Sequence, residues 1–234
     1  MSIKFAGMQP LTLLDYPNEI ASIIFVKGCN LKCRFCQNYE IVEGMTGSGI
    51  TEEEILQHLL KNKKNINHAV ITGGEPSIYE QEMCDFIRML KSNGFHIKLD
   101  TNGTNTNFVT TIIDERLADY IAMDIKTILS PNEYSEITGI PFHFEDINQI
   151  NSSIMKIMNS GIPYEFRTTV EKTHHPNSIM KLIAAMRLPN HYLQQFEMSQ
   201  YVFDKEIEPY LKTELNDLYL YLKNINPELR LRGI

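Results

Sequence analysis

Three things are scarce in this chain: basic charge, long apolar runs and cysteine. Its 234 residues carry a formal net charge of −7, which argues against a nucleic-acid-binding surface as its main function. The one basic run, Lys61–Asn62–Lys63–Lys64, falls near a helix end, where cations answer the negative pole of the helix dipole. No stretch reaches the roughly 18–20 apolar residues of a membrane span. The first seventeen residues lack the apolar core and small-residue ending of a secretion signal. A cytoplasmic protein with no membrane and no nucleic-acid partner is expected. Of four cysteines, Cys29, Cys33 and Cys36 crowd together and Cys84 stands far off. A reducing compartment disfavours a disulfide framework and makes metal or redox chemistry the default for the three. Cys84, in an amphipathic helical stretch, reads as a small buried hydrophobe.

What is present is an ordinary globular composition, 43% hydrophobic, patterned as alternating strands and helices. Apolar, β-branched runs occur at 20–26, 68–72, 95–100, 119–124, 163–170 and 191–197. Helical periodicity fills 51–61, 80–93, 107–115, 145–160, 177–187 and 205–223. Thr51 with Glu54 three residues on makes a capping box for the first of these helices. Glycine after Asn93 and after Ser160 closes two helices directly before a strand. Six β–α repeats with short turns predict an α/β fold with a parallel sheet covered by helices. No sequence repeat or linker divides the chain, so 1–234 is expected to be a single domain. Its core would span about 18–200, followed by a C-terminal helix and tail, 205–234. The longer irregular stretches 38–50 and 129–144 follow strand ends, where α/β proteins keep functional loops.

Period alone leaves an open sheet and an incomplete barrel as alternatives, and the polar residues bear on the choice. Asp124 and Lys126 share one strand face, as do Glu165, Arg167 and Thr169. A covered parallel strand is normally apolar on both faces, so this charge points to a polar cavity, with frayed strand ends in water as the alternative. His174–His175, before Pro176, reads as a solvated loop rather than a metal site.

The cysteines follow the first of these strands with spacing C-x3-C-x2-C. Thiolates suit iron–sulfur clusters and zinc. A structural zinc site wants a fourth ligand close by, and none comes before His58. Three thiolates on a four-iron cube leave one iron open to a substrate. Zinc completed by a distant histidine remains the alternative on spacing alone.

With Phe35 as the aromatic, Cys29–Asn30–Leu31–Lys32–Cys33–Arg34–Phe35–Cys36 resembles the cluster motif of the radical S-adenosylmethionine (SAM) enzymes. Thr72–Gly73–Gly74–Glu75–Pro76, one β–α unit later, is similar to their Gly-Gly-Glu motif. Asp100–Thr101–Asn102–Gly103, Met123–Asp124–Ile125–Lys126 and Phe166–Arg167–Thr168–Thr169–Val170 resemble later strand ends of the glycyl-radical-enzyme activases, such as the pyruvate formate-lyase activating enzymes. The opening Gly7–Met8–Gln9–Pro10 and Leu14–Asp15–Tyr16–Pro17 look most like the branch that activates anaerobic ribonucleoside-triphosphate reductase. The resemblance spans residues 3–200 and, weakly, 229–233.

The resemblance implies a partial (β/α)6 TIM-like barrel and a [4Fe–4S] cluster on Cys29, Cys33 and Cys36. It also implies reductive cleavage of SAM, fed by a flavodoxin or ferredoxin, and a glycyl radical enzyme as partner. The alternatives are another glycyl radical enzyme, such as pyruvate formate-lyase, or a small-molecule or peptide substrate. Phe35, Gln37, Gly73, Gly74, Glu75, Thr101, Asn102, Lys126 and Arg167 would contact SAM. In that reading Gly73 and Gly74 let the backbone approach its amino group and Glu75 lies near that cation. Lys126 and Arg167 would meet its ribose and carboxylate, or else pair with Asp124 and Glu165. Asp100, Thr101 and Asp124 match positions that hold a monovalent cation in the pyruvate formate-lyase activases. Two departures stand out. Only 38–50 separates Cys36 from the next helix, so no ferredoxin-like insert fits. Where those activases carry a SAM-contacting histidine, this chain has Gln195–Phe196–Glu197. The stretch 129–144 is expected to form part of the partner's docking surface.

Overall fold

Among the described residues, eight strands follow one another across one sheet in chain order: β1 (Phe5–Thr12), β2 (Ala21–Val26), β3 (His68–Gly73), β4 (His96–Thr101), β5 (Tyr120–Asp124), β6 (Tyr164–Val170), β7 (His191–Gln195) and β8 (Arg230–Arg232). The computed structural model describes residues 2–43, 49–172 and 176–233; His174–His175 lies outside them. β1 runs antiparallel to β2, and every later pair is parallel. The helices are α1 (Tyr39–Val42), α2 (Glu52–Asn62), α3 (Glu80–Ser92), α4 (Thr106–Asp114), α5 (Pro131–Thr138), α6 (Phe144–Asn159), α7 (Pro176–Met186) and α8 (Lys212–Lys223). Strands β2–β7, each leading into a helical layer, are the six repeats read from the sequence.

Local chemistry explains the elements. Ala21, Ser22, Ile23, Ile24 and Val26 of β2 are all buried, as a parallel strand covered on both faces requires. Thr51 caps α2 as expected: its hydroxyl accepts from Glu54 N at 3.1 Å, and its own N–H donates to the Glu54 carboxylate at 2.8 Å. α3 buries Met83, Cys84, Phe86, Ile87 and Leu90 against the sheet, which places Cys84 among hydrophobes and away from the other cysteines.

Four elements go beyond the sequence reading. β1 contains Pro10 and three consecutive exposed residues, so it carries no alternating pattern and holds only as an edge strand on β2. β8 is three residues long. α1 is a single turn of four residues. α5 lies inside 129–144, begins with Pro131 at its first position and ends at Gly139 in the left-handed conformation; those signals mark a helix. α8 starts at Lys212, not Lys205.

The sheet is curved. Residues from β3, β4, β5, β6 and β7 all line one cleft of about 290 Å³, whereas in a flat sheet the outer two of these strands would stand about 19 Å apart. The architecture is a partial (β/α)6 barrel, open between β1 and β8 among the described residues.

His191, at the start of β7, is 1% exposed, with Nε2 2.9 Å from the Thr168 hydroxyl. Burial pushes its pKa down to about 4, against about 6.5 in an unfolded chain. The unfolded state therefore takes up a proton first, and stability falls as pH drops from 6.5 toward 4. This one group is expected to cost about 2 kcal/mol between pH 7 and pH 5. Urea unfolding at the two pH values checks it, because His191→Gln should remove that share of the loss.

Candidate active site

The cysteines occupy the loop that leaves the C-terminal end of β2, and neighbouring strand ends hold it by main-chain bonds. Gly74 N donates to Val26 O at 2.9 Å, and Glu75 N to Gly28 O at 2.9 Å. From the other side, Lys32 N donates to Thr138 O at 2.8 Å and Arg34 N to Ile137 O at 3.4 Å, so the last turn of α5 seats the loop. Side chains finish the anchoring. Asn102 Nδ2 donates to Asn30 Oδ1 at 2.8 Å, and Asn38 Nδ2 to Gly73 O at 3.1 Å. Arg34 pairs with Asp204 at 2.7 Å, and Gln37 Nε2 donates to Glu197 O at 2.9 Å.

Cys29, Cys33, Phe35, Cys36 and Gln37 line one wall of the cleft; Gly73, Gly74 and Glu75 line the next. Asp100, Thr101, Asn102, Asp124, Lys126 and Arg167 complete it. The structure thus brings the residues expected to hold the cluster, SAM and a cation to one cavity. The position of some of them differs from expectation.

Gly73 and Gly74 are needed by the protein itself. A Cβ on Gly74 would lie 1.7 Å from Gly28 O, and one on Gly73, whose φ is +117°, 2.4 Å from Val26 N. Both directions point into the β2 end and the cysteine loop. Glu75 is 2% exposed, and three donors hold its carboxylate: Ser77 N at 3.0 Å, Thr101 Oγ1 at 2.7 Å and Asn102 N at 2.7 Å. Burial raises its pKa, against the opposing pull of these donors. It acts as a strut between the ends of β3 and β4.

The polar strand faces do point inward, and they form a ladder of charge. Arg167 Nε donates to Asp124 Oδ1 at 2.7 Å, and its Nη1 to Asp100 Oδ2 at 3.0 Å. Lys126 Nζ reaches Asp124 Oδ2 at 3.0 Å. Lys98, 2% exposed, pairs with Asp100 Oδ1. Deeper in, Glu165 accepts both guanidinium arms of Arg232 from β8, at 3.1 and 2.8 Å, and lies 3.8 Å from Arg167. Burial alone would raise the Asp124 carboxyl, but Arg167 and then Lys126 hold it well below its ordinary range. Asp100 is lowered in the same way against burial, by Arg167 and Lys98.

At the positions expected to hold a monovalent cation, the oxygens already have protein partners. The oxygens of Asp100 and Asp124 go to Lys98, Lys126 and Arg167, while Thr101 Oγ1 donates to Glu75 and accepts from Gly103 N at 3.2 Å. At the sixth-strand end a neighbouring residue reaches the cleft. Gln194 faces the cleft, while Gln195 Nε2 turns away to Tyr210 O at 2.9 Å and Phe196 is core. Strand alternation puts the cleft-facing residue one position earlier than the motif alignment did. Lys98, Asn38 and Gln194 were not singled out beforehand; the parity of Lys98 with Asp100 was the available signal for the first.

The donor set tests which inorganic group fits. Burial pushes the Cys29 thiol up to about 12, with the Glu75 charge adding to it, and Cys33 up to about 11; burial also raises Cys36. Such thiols ionise only against a strongly cationic partner such as a bound metal. Zinc with Zn–S bonds of about 2.3 Å would need its sulfurs about 3.8 Å apart. Among the described residues no three His, Cys, Asp or Glu side chains gather around a point suited to one ion. Three thiols that line one wall of the cleft without converging on a single-ion point fit a multi-iron cluster, in which each takes its own iron.

Comparison with known proteins agrees. The Radical SAM superfamily profile matches residues 23–171. A Methanocaldococcus jannaschii protein provisionally named a glycyl-radical enzyme activating enzyme is 30% identical over 224 residues, 93% of this chain and 90% of that one. The pyruvate formate-lyase-activating enzyme of Clostridium pasteurianum is 28% identical over 140 residues, 58% of this chain and 57% of the other. The crystal structure of QueE from Escherichia coli superposes with a TM-score of 0.57 at 15% identity, over 99% of this chain and 94% of that one, a likeness of fold. With a partial barrel, a three-cysteine loop at its strand ends and a match over most of the barrel, this chain belongs to the radical SAM superfamily.

Proposed function

We propose that this enzyme is a glycyl-radical-enzyme activase, and that its partner is the anaerobic ribonucleoside-triphosphate reductase. The observation that carries the activase reading is the similarity to the M. jannaschii relative, which extends over nearly all of both chains. Pyruvate formate-lyase activases are similar over little more than half of each chain, which keeps pyruvate formate-lyase as the alternative partner. The opening motifs Gly7–Met8–Gln9–Pro10 and Leu14–Asp15–Tyr16–Pro17 support the reductase.

Members of the superfamily use a [4Fe–4S] cluster and SAM, which together supply a 5′-deoxyadenosyl radical able to take hydrogen from a glycine Cα. In this chain Cys29, Cys33 and Cys36 would hold the cluster, with a flavodoxin or ferredoxin as donor. Lys126, with Nζ 6.0 Å from the centre of the Phe35 ring, and Arg167 present cations to a carboxylate or ribose. Asp124 orients both of them. Phe35 is 6% exposed and would pack beside an adenine. Gln37, Thr101 and Asn102 are fixed by the bonds described above and would bound the SAM site without rearrangement. Gly73, Gly74 and Glu75 hold the cysteine loop against β3. Residues 1–234 would work as one domain.

The test is to mix the reduced, cluster-loaded protein and SAM with the anaerobic reductase and, separately, with pyruvate formate-lyase. A glycyl doublet in the electron paramagnetic resonance spectrum of the reductase is expected. A doublet on pyruvate formate-lyase alone would reassign the partner. SAM consumption with no doublet on either would point to a small-molecule or peptide substrate.

A further inference from the structure

Beside the cleft, Asp100 and Asp124 meet three largely buried cations, Lys98, Lys126 and Arg167, while Glu165 is paired with Arg232, whose side chain is 41% exposed. That surplus bears on the monovalent cation that the family resemblance placed beside SAM. A cation entering between Asp100 and Asp124 would find both carboxylates already neutralised and the surroundings positive. It would also find Thr101 Oγ1 committed to Glu75 and Gly103.

We propose that Lys98 is a built-in counter-cation for Asp100, so that this chain orients Asp100 and Arg167 without a bound metal cation. Three observations carry it. Lys98 reaches into the barrel from β4 with 2% of its surface exposed, and an ammonium is buried that deeply only when paired. Its partner oxygen, Asp100 Oδ1, is not the one that binds Arg167, so Asp100 bridges the two cations through separate oxygens. Arg167, held through Asp100 and Asp124, in turn lines the cleft. Lys98 does not line that cleft itself. It is a positioning residue, acting on the site through Asp100 and Arg167. Thr72 Oγ1, 3.4 Å from Asp100 Oδ2, also neighbours it and adds no charge.

The inference rests on the SAM reading of the cleft only for its effect on ligand affinity, and the test separates the two. Thermal unfolding of the cluster-loaded protein is followed in potassium chloride and in tetramethylammonium chloride at equal ionic strength. SAM affinity is measured by anaerobic calorimetry in the same two media. For the native sequence the unfolding midpoint and the affinity should be the same in both, the affinity within about twofold. In Lys98→Ala, removal of the ammonium leaves Asp100 under-neutralised beside a space a potassium ion can enter. Its midpoint should then rise when potassium replaces tetramethylammonium, and its SAM affinity, reduced about tenfold, should partly recover.

A native protein whose midpoint rises by several degrees, or whose affinity rises severalfold, with potassium would overturn the proposal. So would a Lys98→Ala protein indifferent to the cation. If that variant fails to fold, the native protein's response to the two salts decides alone. No SAM binding in either salt would instead remove the SAM reading, while the unfolding midpoints still judge Lys98.

Discussion

Replacing Cys33 by alanine is expected to abolish cluster assembly and SAM cleavage while leaving the fold intact. Cys33 sits 8% exposed in the middle of the loop, where its carbonyl accepts from Cys36 N at 3.0 Å. That turn sets the spacing between the second and third thiols. The loop is shaped by main-chain bonds to Ile137, Thr138 and the end of β3, none of which uses a cysteine side chain. Loss of one sulfur therefore removes a ligand without releasing the loop. Iron and sulfide analysis, with 5′-deoxyadenosine release under dithionite, should read at background for Cys33→Ala. Circular dichroism should match the parent protein. Cys84→Ala is the control. Its sulfur packs in α3 among apolar side chains, so the change should cost about 1 kcal/mol of stability and no cluster. Loss of cluster in the Cys84 variant, or its survival in Cys33→Ala, would show the ligands to be wrongly assigned.

The second large effect is expected at Gly74. A methyl group there would sit 1.7 Å from the Gly28 carbonyl oxygen, and the obstacle is backbone, which no rotamer change can clear. The cysteine loop and the β3 end must move apart, stretching the bonds from Gly74 N to Val26 O and from Glu75 N to Gly28 O. Overpacking at about 1–3 kcal/mol and two weakened hydrogen bonds at about 1 kcal/mol each suggest a loss of about 3–5 kcal/mol for Gly74→Ala. Cluster content should fall with it, because the displaced segment carries Cys29. Gly161→Ala serves as the comparison. Gly161 has φ +70° but open space where a Cβ would go, so only conformational strain of about 1 kcal/mol applies. Equal urea midpoints for the two variants would refute the close-approach argument.

These glycines show where motif reading is sound and where it stops. The Gly-Gly-Glu sequence locates a strand end beside the cysteines, and that location is right. Which atoms the missing side chains make room for depends on the direction of the Cα–Cβ bond in the folded chain. It points toward Val26 and Gly28. Glu75 is similar. Its carboxylate meets Ser77, Thr101 and Asn102, and the β4 partners lie more than twenty residues away, so no local pattern reveals them. The stretch 129–144, expected to form part of the partner's docking surface, leaves Phe144 exposed, but it also buries Tyr134, Ile137, Thr138 and Phe142 and seats the cysteine loop with its central helix, a role no local pattern announces.

The sequence by itself determined the alternation of six strands and helices, because burial on a covered parallel sheet imposes period and chain order together. It also determined the three-thiol loop and the inward polar faces, since strand parity is fixed by the pleat. The edge strands β1 and β8 were decided by tertiary structure, because each is held by pairing with one neighbour rather than by a pattern of its own. So was the partition of charge inside the barrel. Asp100, Asp124 and Glu165 could each have faced a ligand, a metal or a lysine. The Lys98–Asp100 and Lys126–Asp124 pairs are local, two residues apart, but only the curvature that brings β4, β5, β6 and β8 within reach of one another gives Asp100 and Asp124 to Arg167 and Glu165 to Arg232. Charge pairing depends on distance through space, and the sheet's curvature sets that distance.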